Sequence, residues 1–223
     1  MLFRSAGMIC PDMATLLVFF LTDAAIGVRD ARRLARRICV GSLNSLSVDG
    51  DTSTNDSLFL LASGEAGNEP PAADSAAMRG LEDAIDEVGW EIARLVASDG
   101  EGSTKLVTIE VVGAPGDGEA HRVARTVGNS SLVKTAFFGS DPNWGRIACA
   151  VGYSGVRVDP AKVTIRIGDA VVFRKGEGVA AGRARARDAM KRPEFEVRID
   201  LGDGSGRARY VTGDLSTEYV KFN

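Results

Sequence analysis

Histidine is almost missing from this chain: His121 is the only one among 223 residues. A Ser-His-Asp or Cys-His arrangement would have to use that one ring, and a histidine-based zinc site has too few ligands. Cysteine is scarce as well. Cys10, Cys39 and Cys149 are far apart, odd in number and without metal-ligand spacing, which fits a reduced, cytosolic protein. Positive charge is not in excess: 27 basic residues stand against 30 acidic ones, a net charge of −3. Nothing there marks a nucleic-acid binder. Long apolar runs are absent too, so no stretch can span a membrane. Arg4 ahead of Leu16 to Leu21 superficially resembles a secretory signal. The apolar run is short, however, and Pro11 and Asp12 lie where its core would have to extend.

What is present is ordinary for a globular protein: 44% hydrophobic and 26% charged residues, in a length that suits one large domain or two small ones. Leu16 to Leu21 is apolar throughout and predicts a strand buried on both faces. Val28, Ala31, Leu34, Ala35 and Ile38 recur at helical spacing. Leu46 and Val48 alternate with serines, and Ser57 to Ala62 reads as a short buried helix. Ser75 to Ala97 reads as a long helix with the buried stripe Met78, Leu81, Ile85, Val88, Ile92 and Leu95. Lys105 to Val112 reads as a strand, Ala120 to Val127 as a helix, Leu132 to Phe137 as extended and Asn143 to Val151 as a helix. Val163–Ile167 and Val171–Arg174 form a strand pair around Gly168-Asp169, followed by a helix from Gly178 to Lys191. Strands at Phe195–Leu201, Ala208–Gly213 and Tyr219–Phe222 close the chain. Strands and helices mix without strict alternation, which predicts an α+β fold, a layered α/β sandwich with mixed sheets, rather than a doubly wound sheet. The arginine clusters at Arg29–Arg37 and Arg183–Arg192 are spaced like solvated helix faces.

One junction stands out. Gly7-Met8-Ile9-Cys10-Pro11-Asp12-Met13-Ala14 runs into Thr15 and then into the apolar strand. A cut between Ala14 and Thr15 would leave Thr15 with a free α-amine beside its own hydroxyl, and that amine can serve as the base a weak threonine nucleophile needs. Four polar, glycine-rich stretches also remain beyond what packing requires: Val48 to Asp56, Asp99 to Lys105, Phe138 to Ile147 and Gly213 to Asn223. Several such loops in one domain, beside a candidate nucleophile, point to a shared site. The aspartates of Asp49 to Asp56 lack the full spacing of a calcium loop and read better as a hydrogen-bonded turn. Asp141 to Arg146 reads as structural, with Pro142 and Trp144 fixing a buried turn and Arg146 as a candidate to hold a carboxylate.

The junction and these four stretches, occurring in order, resemble the bifunctional ornithine acetyltransferase / N-acetylglutamate synthase family of arginine biosynthesis. The resemblance covers nearly the whole chain and is to the family's β half plus a short piece upstream of the cut. It implies an N-terminal-nucleophile-like, self-processing enzyme, in which residues 1–14 are the end of an α chain and residues 15–223 the catalytic β chain. It implies glutamate N-acetyltransferase activity. Thr15 would take acetyl from N-acetylornithine as an acetyl-threonine ester and pass it to glutamate. It also implies amino-acid N-acetyltransferase activity in members that accept acetyl-CoA as co-substrate. No metal or prosthetic group is implied, and the oxyanion donors come from the α half. Carried over residue by residue, the cleavage site is Ala14 and Thr15, and the substrate contacts are Arg4, Thr15, Glu101 and Asn223. A carboxylate such as Glu101 suits an ammonium of ornithine. The implied partner is the α chain of the same precursor in an α2β2 assembly, in the cytoplasm.

The chain departs from the family's pattern in three places. The α half is missing, Arg4 stands where the family usually has lysine, and the sequence stops at Asn223, short of a further substrate-contacting threonine. Arginine keeps the charge but changes its geometry. These departures suggest a truncated frame, a gene fragment or a split gene, weak activity of the chain alone, and unpaired apolar surface with poor solubility. Two other readings remain open here: an aminopeptidase-like hydrolase with the same nucleophile, and an inactive fragment serving as scaffold.

Overall fold

A computed structural model describes Cys10 and residues 16–52 and 57–222. Along the chain run β1 (Leu17–Thr22), α1 (Val28–Gly41), β2 (Leu46–Ser47), β3 (Ser57–Ala62), α2 (Ala76–Ser98), β4 (Leu106–Ala114), α3 (Asp117–Asn129), α4 (Ser131–Phe138) and α5 (Trp144–Gly152). They are followed by β5 (Thr164–Ile167), β6 (Ala170–Arg174), β7 (Glu177–Gly178), α6 (Arg183–Met190), β8 (Glu194–Asp200), β9 (Gly206–Gly213) and α7 (Thr217–Phe222). The architecture is mixed α+β, and it divides into two compact units. One holds the described residues up to Ser45 together with 50–96, the other Leu46–Asp49 and everything from Ala97 onward.

The first unit is built on β1 and β3, a two-stranded parallel sheet in which Phe19 pairs with Phe59 and Leu21 with Leu61. Parallel neighbours need a crossover, and α1 supplies it, packing on β3 with Leu34 and Ile38 fully buried. The polar sides of α1 and α2 meet through Arg33–Glu82 and through Arg37, whose guanidinium donates to Asp86 at 2.7 Å. At Gly89 of α2 a Cβ would come within 2.6 Å of Ser42 Oγ, so glycine is what permits this approach.

Strand β1 falls where it was expected, but it is not buried on both faces. Val18 and Phe20 point inward, whereas Leu17 and Leu21 are 43% and 70% exposed. Period-2 alternation sends consecutive residues to opposite faces, and here only one face is covered. Residues 57–62 form a strand, not the expected helix. An unbroken apolar run has no periodicity to separate the two, and parallel pairing with β1 settles it.

The second unit is a seven-stranded mixed sheet in the order β2-β9-β4-β8-β5-β6-β7. Strand β4 lies parallel to β8 and antiparallel to β9. Val107, Ile109, Val111, Val197, Ile199, Ile165 and Ile167 line one face and meet Ala120, Val123, Ala124 and Val127 of α3. Helix α3 lies tight on the sheet because of Gly128, where a Cβ would stand 2.6 Å from the Tyr210 ring. Tyr210 is fully buried and donates its hydroxyl to Leu46 O at 3.0 Å. The opposite face carries Glu110, which pairs with Arg198 across the strands, beside Arg166 and Arg209 in register.

Two further segments differ from expectation. Residues 131–138 are helical: Val133, Ala136 and Phe137 are buried at helical spacing, and Lys134 is buried among them. Residues 217–222 are helical too, because Ser216 Oγ accepts from the backbone of Glu218 at 3.1 Å and of Tyr219 at 3.4 Å, a helix-capping arrangement. The helix expected from Gly178 is shorter, since Glu177 and Gly178 belong to a strand hairpin and a 3-10 turn precedes α6.

Candidate active site

Of the residues singled out from sequence, Glu101 lies within the described structure; Arg4, Ala14, Thr15 and Asn223 lie outside the described residues. Flanking the junction, Cys10 and Leu16 are buried, and the Cys10 carbonyl accepts a hydrogen bond from the Thr52 hydroxyl at 3.1 Å.

Glu101 is half-buried in the loop between α2 and β4, and a buried carboxylate holds that loop in shape. Asp214, 4% exposed just after β9, accepts from Thr104 N at 2.7 Å, Thr104 Oγ1 at 2.5 Å, Lys105 N at 3.1 Å and Ser103 Oγ at 3.3 Å. Gly102, next to Glu101, has φ +65°, and a Cβ there would stand 2.4 Å from Tyr219 N. Only glycine fits both the left-handed backbone and that contact. Ser216 Oγ donates to Gly102 O at 2.5 Å. The N-terminus of α7 and the Glu101 loop are therefore one packed unit.

Lys105 closes the other end of the loop. Its ammonium donates to Phe137 O at 2.6 Å, Phe138 O at 3.1 Å and Ser140 Oγ at 2.7 Å, capping the C-terminus of α4. Burial pushes the Lys105 amine below the usual lysine value, and the charge of Asp214 opposes that shift. Ser140 stands at φ 50°, a left-handed conformation uncommon for serine, held by Lys105 and by its own bond to Met190 O at 3.3 Å. At Gly100 a Cβ would come within 2.7 Å of Val48. The described parts of all four polar stretches thus touch through Val48, Gly100 to Lys105, Ser140 and Asp214.

Sequence reasoning assigned no role to Asp214, Lys105 or Lys134. Lys134 is 3% exposed, and its ammonium reaches Thr212 Oγ1 at 2.7 Å and Gly213 O at 2.5 Å, fixing the end of β9 just before Asp214. Its signal was a lone lysine inside an otherwise apolar segment. Arg146 does not hold a carboxylate within the described structure. Its guanidinium donates to Leu132 O at 2.7 Å and Thr135 Oγ1 at 3.1 Å, so a helix carbonyl and a hydroxyl of α4 stand where a carboxylate was expected. Trp144 is not buried: it is 37% exposed and stacks on Phe173 at 5.0 Å. Among the described residues, no three His, Cys, Asp or Glu side chains gather to hold a metal ion, and no helix is long and apolar enough to cross a membrane.

The layered α+β architecture with its mixed sheet is that of a solved N-terminal-nucleophile-like fold: the crystal structure of the arginine biosynthesis bifunctional protein ArgJ from Bacillus halodurans superposes with a TM-score of 0.90 at 37% identity, covering 93% of this chain and 98% of that one. Residues 2–223 match the ArgJ family, and the chain belongs to that family. It is 47% identical to the arginine biosynthesis bifunctional protein ArgJ of Syntrophotalea carbinolica, over 99% of this chain and 56% of that protein. It is 44% identical to the mitochondrial arginine biosynthesis bifunctional protein ArgJ of Schizosaccharomyces pombe, over 99% of this chain and 51% of that protein. The chain thus spans about half the length of the curated relatives it matches.

Proposed function

We propose that this chain is the nucleophile-bearing half of an acetyltransferase of arginine biosynthesis, with residues 1–14 as the end of an α chain and residues 15–223 as the β chain. The observation that carries this reading is the match itself: residues 2–223 fit the ArgJ family, and the Bacillus halodurans ArgJ chain superposes with a TM-score of 0.90. The Ala14–Thr15 junction, just ahead of β1 in the sequence, supplies the place for the cut.

Cleavage frees the Thr15 amine. The Thr15 hydroxyl then attacks the acetyl carbonyl of N-acetylornithine, giving up its proton to the adjacent amine. The amide C–N bond breaks, the proton passes to the departing ornithine amine, and acetyl remains as an ester on Thr15. The amine of glutamate attacks that ester, the C–O bond breaks, and the proton returns to the hydroxyl as N-acetylglutamate leaves. Oxyanion donors from the α half hold the negative charge of each tetrahedral intermediate, where losing one donor costs about 100- to 1000-fold in rate. Glu101 receives a substrate ammonium, and Arg4 and Asn223 complete the contacts. Acetyl-CoA serves as the alternative donor, and no metal or prosthetic group takes part.

The α half is the partner, in an α2β2 assembly. The outward apolar face of β1 and β3 supports this, because a two-stranded parallel sheet with one bare face lacks the burial such sheets depend on. The relatives include mitochondrial proteins; for this chain the cytoplasm is the proposed compartment.

The test is the intact mass and activity of the chain co-expressed with a homologous α half. A species starting at Thr15, carrying one acetyl group after incubation with N-acetylornithine and losing it to glutamate, is the expected result. Thr15→Ala should abolish both cleavage and acetylation. Turnover by the Thr15→Ala protein would overturn the reading.

A further inference from the structure

The second unit contains a cleft of about 480 Å³ between the turn that opens α5 and the β6–β7 hairpin. That volume lies within the range of small-molecule sites. Asp141, Asn143 and Trp144 line one side, Val172 and Gly178 the other, and Arg183 stands at the rim. Glu101 is not part of it.

The lining has a particular chemistry. It holds one carboxylate, Asp141, and one guanidinium, Arg183, 3.8 Å apart, with side chains 37% and 66% exposed. The pair is long and solvated, and exposed pairs of this kind contribute little. Asp141 is held in place by Asn143 Nδ2 at 3.0 Å and by its own backbone N–H on Ala136 O at 2.9 Å. The other cations nearby are committed elsewhere: Arg146 to α4 and Lys105 to the Phe137–Ser140 turn. Helix α5 begins at the cleft and adds partial positive charge at its N-terminus.

The aromatic wall is equally defined. One side of the Trp144 indole stacks on Phe173 at 5.0 Å and 28°. A Cβ at Gly178 would come within 2.6 Å of its Nε1, although nothing in the Gly178 backbone requires glycine. The glycine lets the hairpin backbone pack directly against the edge of the ring. No hydrogen bond to the indole N–H is made by any described residue.

A simple anion entering this cleft meets Asp141, and a simple cation meets Arg183. A molecule with both charges on neighbouring atoms satisfies each, replacing one loose solvated pair by two charge-assisted contacts. We infer that the cleft binds a free α-amino acid as a zwitterion, its ammonium on Asp141, its carboxylate on Arg183, and its side-chain stem along Trp144. This does not depend on the acetyl-transfer reading, because none of the residues assigned there lines the cleft.

Titration of the 223-residue chain, in a Trp90→Phe background that leaves Trp144 as the reporter, tests this by indole fluorescence. Glycine, glutamate and ornithine are the probes; acetate and methylammonium are the single-charge controls. The expected result is a saturable change with amino acids at millimolar concentration, with each control weaker by about tenfold or more. Asp141→Asn and Arg183→Gln should each weaken amino-acid binding about tenfold, Gly178→Ala should block it, and Glu101→Gln should leave it unchanged. Acetate binding as tightly as glycine would overturn the inference, as would wild-type affinity in both charge variants or the absence of any saturable change. The control probes act on the unmutated cleft, so the outcome stands even where a variant fails to fold. Loss of binding in Glu101→Gln would place the amino acid at the Glu101 loop instead and would also overturn it.

Discussion

The two sheets each bury one face and expose the other, and the exposed faces carry opposite chemistry. On the seven-stranded sheet, β8 alternates strictly between buried and exposed positions, and its outward residues include Glu196 and Arg198. Glu110 and Arg198 pair across that face. On the two-stranded sheet the outward residues are Leu17, Phe19, Leu21, Phe59 and Leu61, with Phe19 and Phe59 stacked at 5.0 Å. A sheet face that evolves against water alternates polar outward and apolar inward, as the larger sheet does. The smaller sheet is patterned for a covering on both faces, which a single unit of this size does not supply. The difference separates a unit whose outward sheet face is polar from one whose outward sheet face is apolar.

The largest effect that would sharpen this contrast comes from matched phenylalanines. Phe137 is 1% exposed and meets Phe195 edge-on at 5.4 Å. Phe137→Ala should cost about 3–5 kcal/mol in chemical denaturation. Phe59 is 46% exposed, and Phe59→Ala should cost less than about 1 kcal/mol in the lone chain. In the chain paired with the other half of its family, the Phe59→Ala cost should rise toward the Phe137 value. Equal costs in the lone chain would erase the distinction between the two faces.

Next comes the carboxylate that shapes the Glu101 loop. Asp214→Ala removes the acceptor for four donors in residues 103–105, at a cost of about 3 kcal/mol. Hydrogen exchange should show the amides of Thr104 and Lys105 opening first, while the amides of β1 and β3 keep their rates. Uniform acceleration through both units would mean that the loop is not a local device.

A smaller effect on stability, with a larger one on solution behaviour, is expected on the bare face. Leu21 and Leu61 are register partners, 70% and 49% exposed. Replacing both by threonine introduces β-branched side chains suited to strands and should change stability by less than about 0.5 kcal/mol. The soluble yield of the lone chain should rise, and its association with the proposed α half should weaken. An unchanged yield would mean that this face does not govern solubility.

How much of this was legible in the sequence depended on whether burial followed a period. Helix α2, helix α3, strand β4 and the β5–β6 pair all show regular spacing and were read correctly as elements, but of the stripe expected to be buried on α2 only part is: Met78, Ile85 and Ile92 are buried, whereas Val88 and Leu95 are 48% and 40% exposed. Residues 58–61 are apolar at every position, and such a run carries no period to read. Residues 132–137 misled because Lys134, a charged residue, sits on the buried face of α4, where β9 supplies its acceptors from 78 residues away. Strand was expected at 219–222 because short apolar-aromatic segments favour it, and the Ser216 cap decided otherwise. In the site, the Glu101 loop was legible as glycine-rich and polar. The Asp214 and Lys105 contacts that hold it join residues 109 and 32 positions apart, and only the fold brings such partners together.

The smallest effect tests the polar periphery of the larger unit. Lys162 donates to Asp203 at 2.8 Å, with both side chains 48% exposed. The hydrogen bond and then the charge of Lys162 hold the Asp203 carboxyl below its ordinary value of 3.8. The hydrogen bond and then the charge of Asp203 raise the Lys162 amine above 10.5. The signs differ at the two ends. A depressed carboxyl contributes stability above its ordinary value and loses it as pH falls through the folded-state value. A raised amine contributes below its ordinary value and loses it as pH rises through the folded-state value. The difference in denaturation midpoint between the wild type and Lys162→Met should therefore be greatest on a plateau between these limits. It should shrink in acid below 3.8 and in alkali above 10.5. High salt should flatten the plateau, because exposed charges are screened. A difference that ignores both pH and salt would assign the effect to packing of the lysine stem. The periphery of the larger unit would then owe its order to apolar contact, as the smaller sheet does.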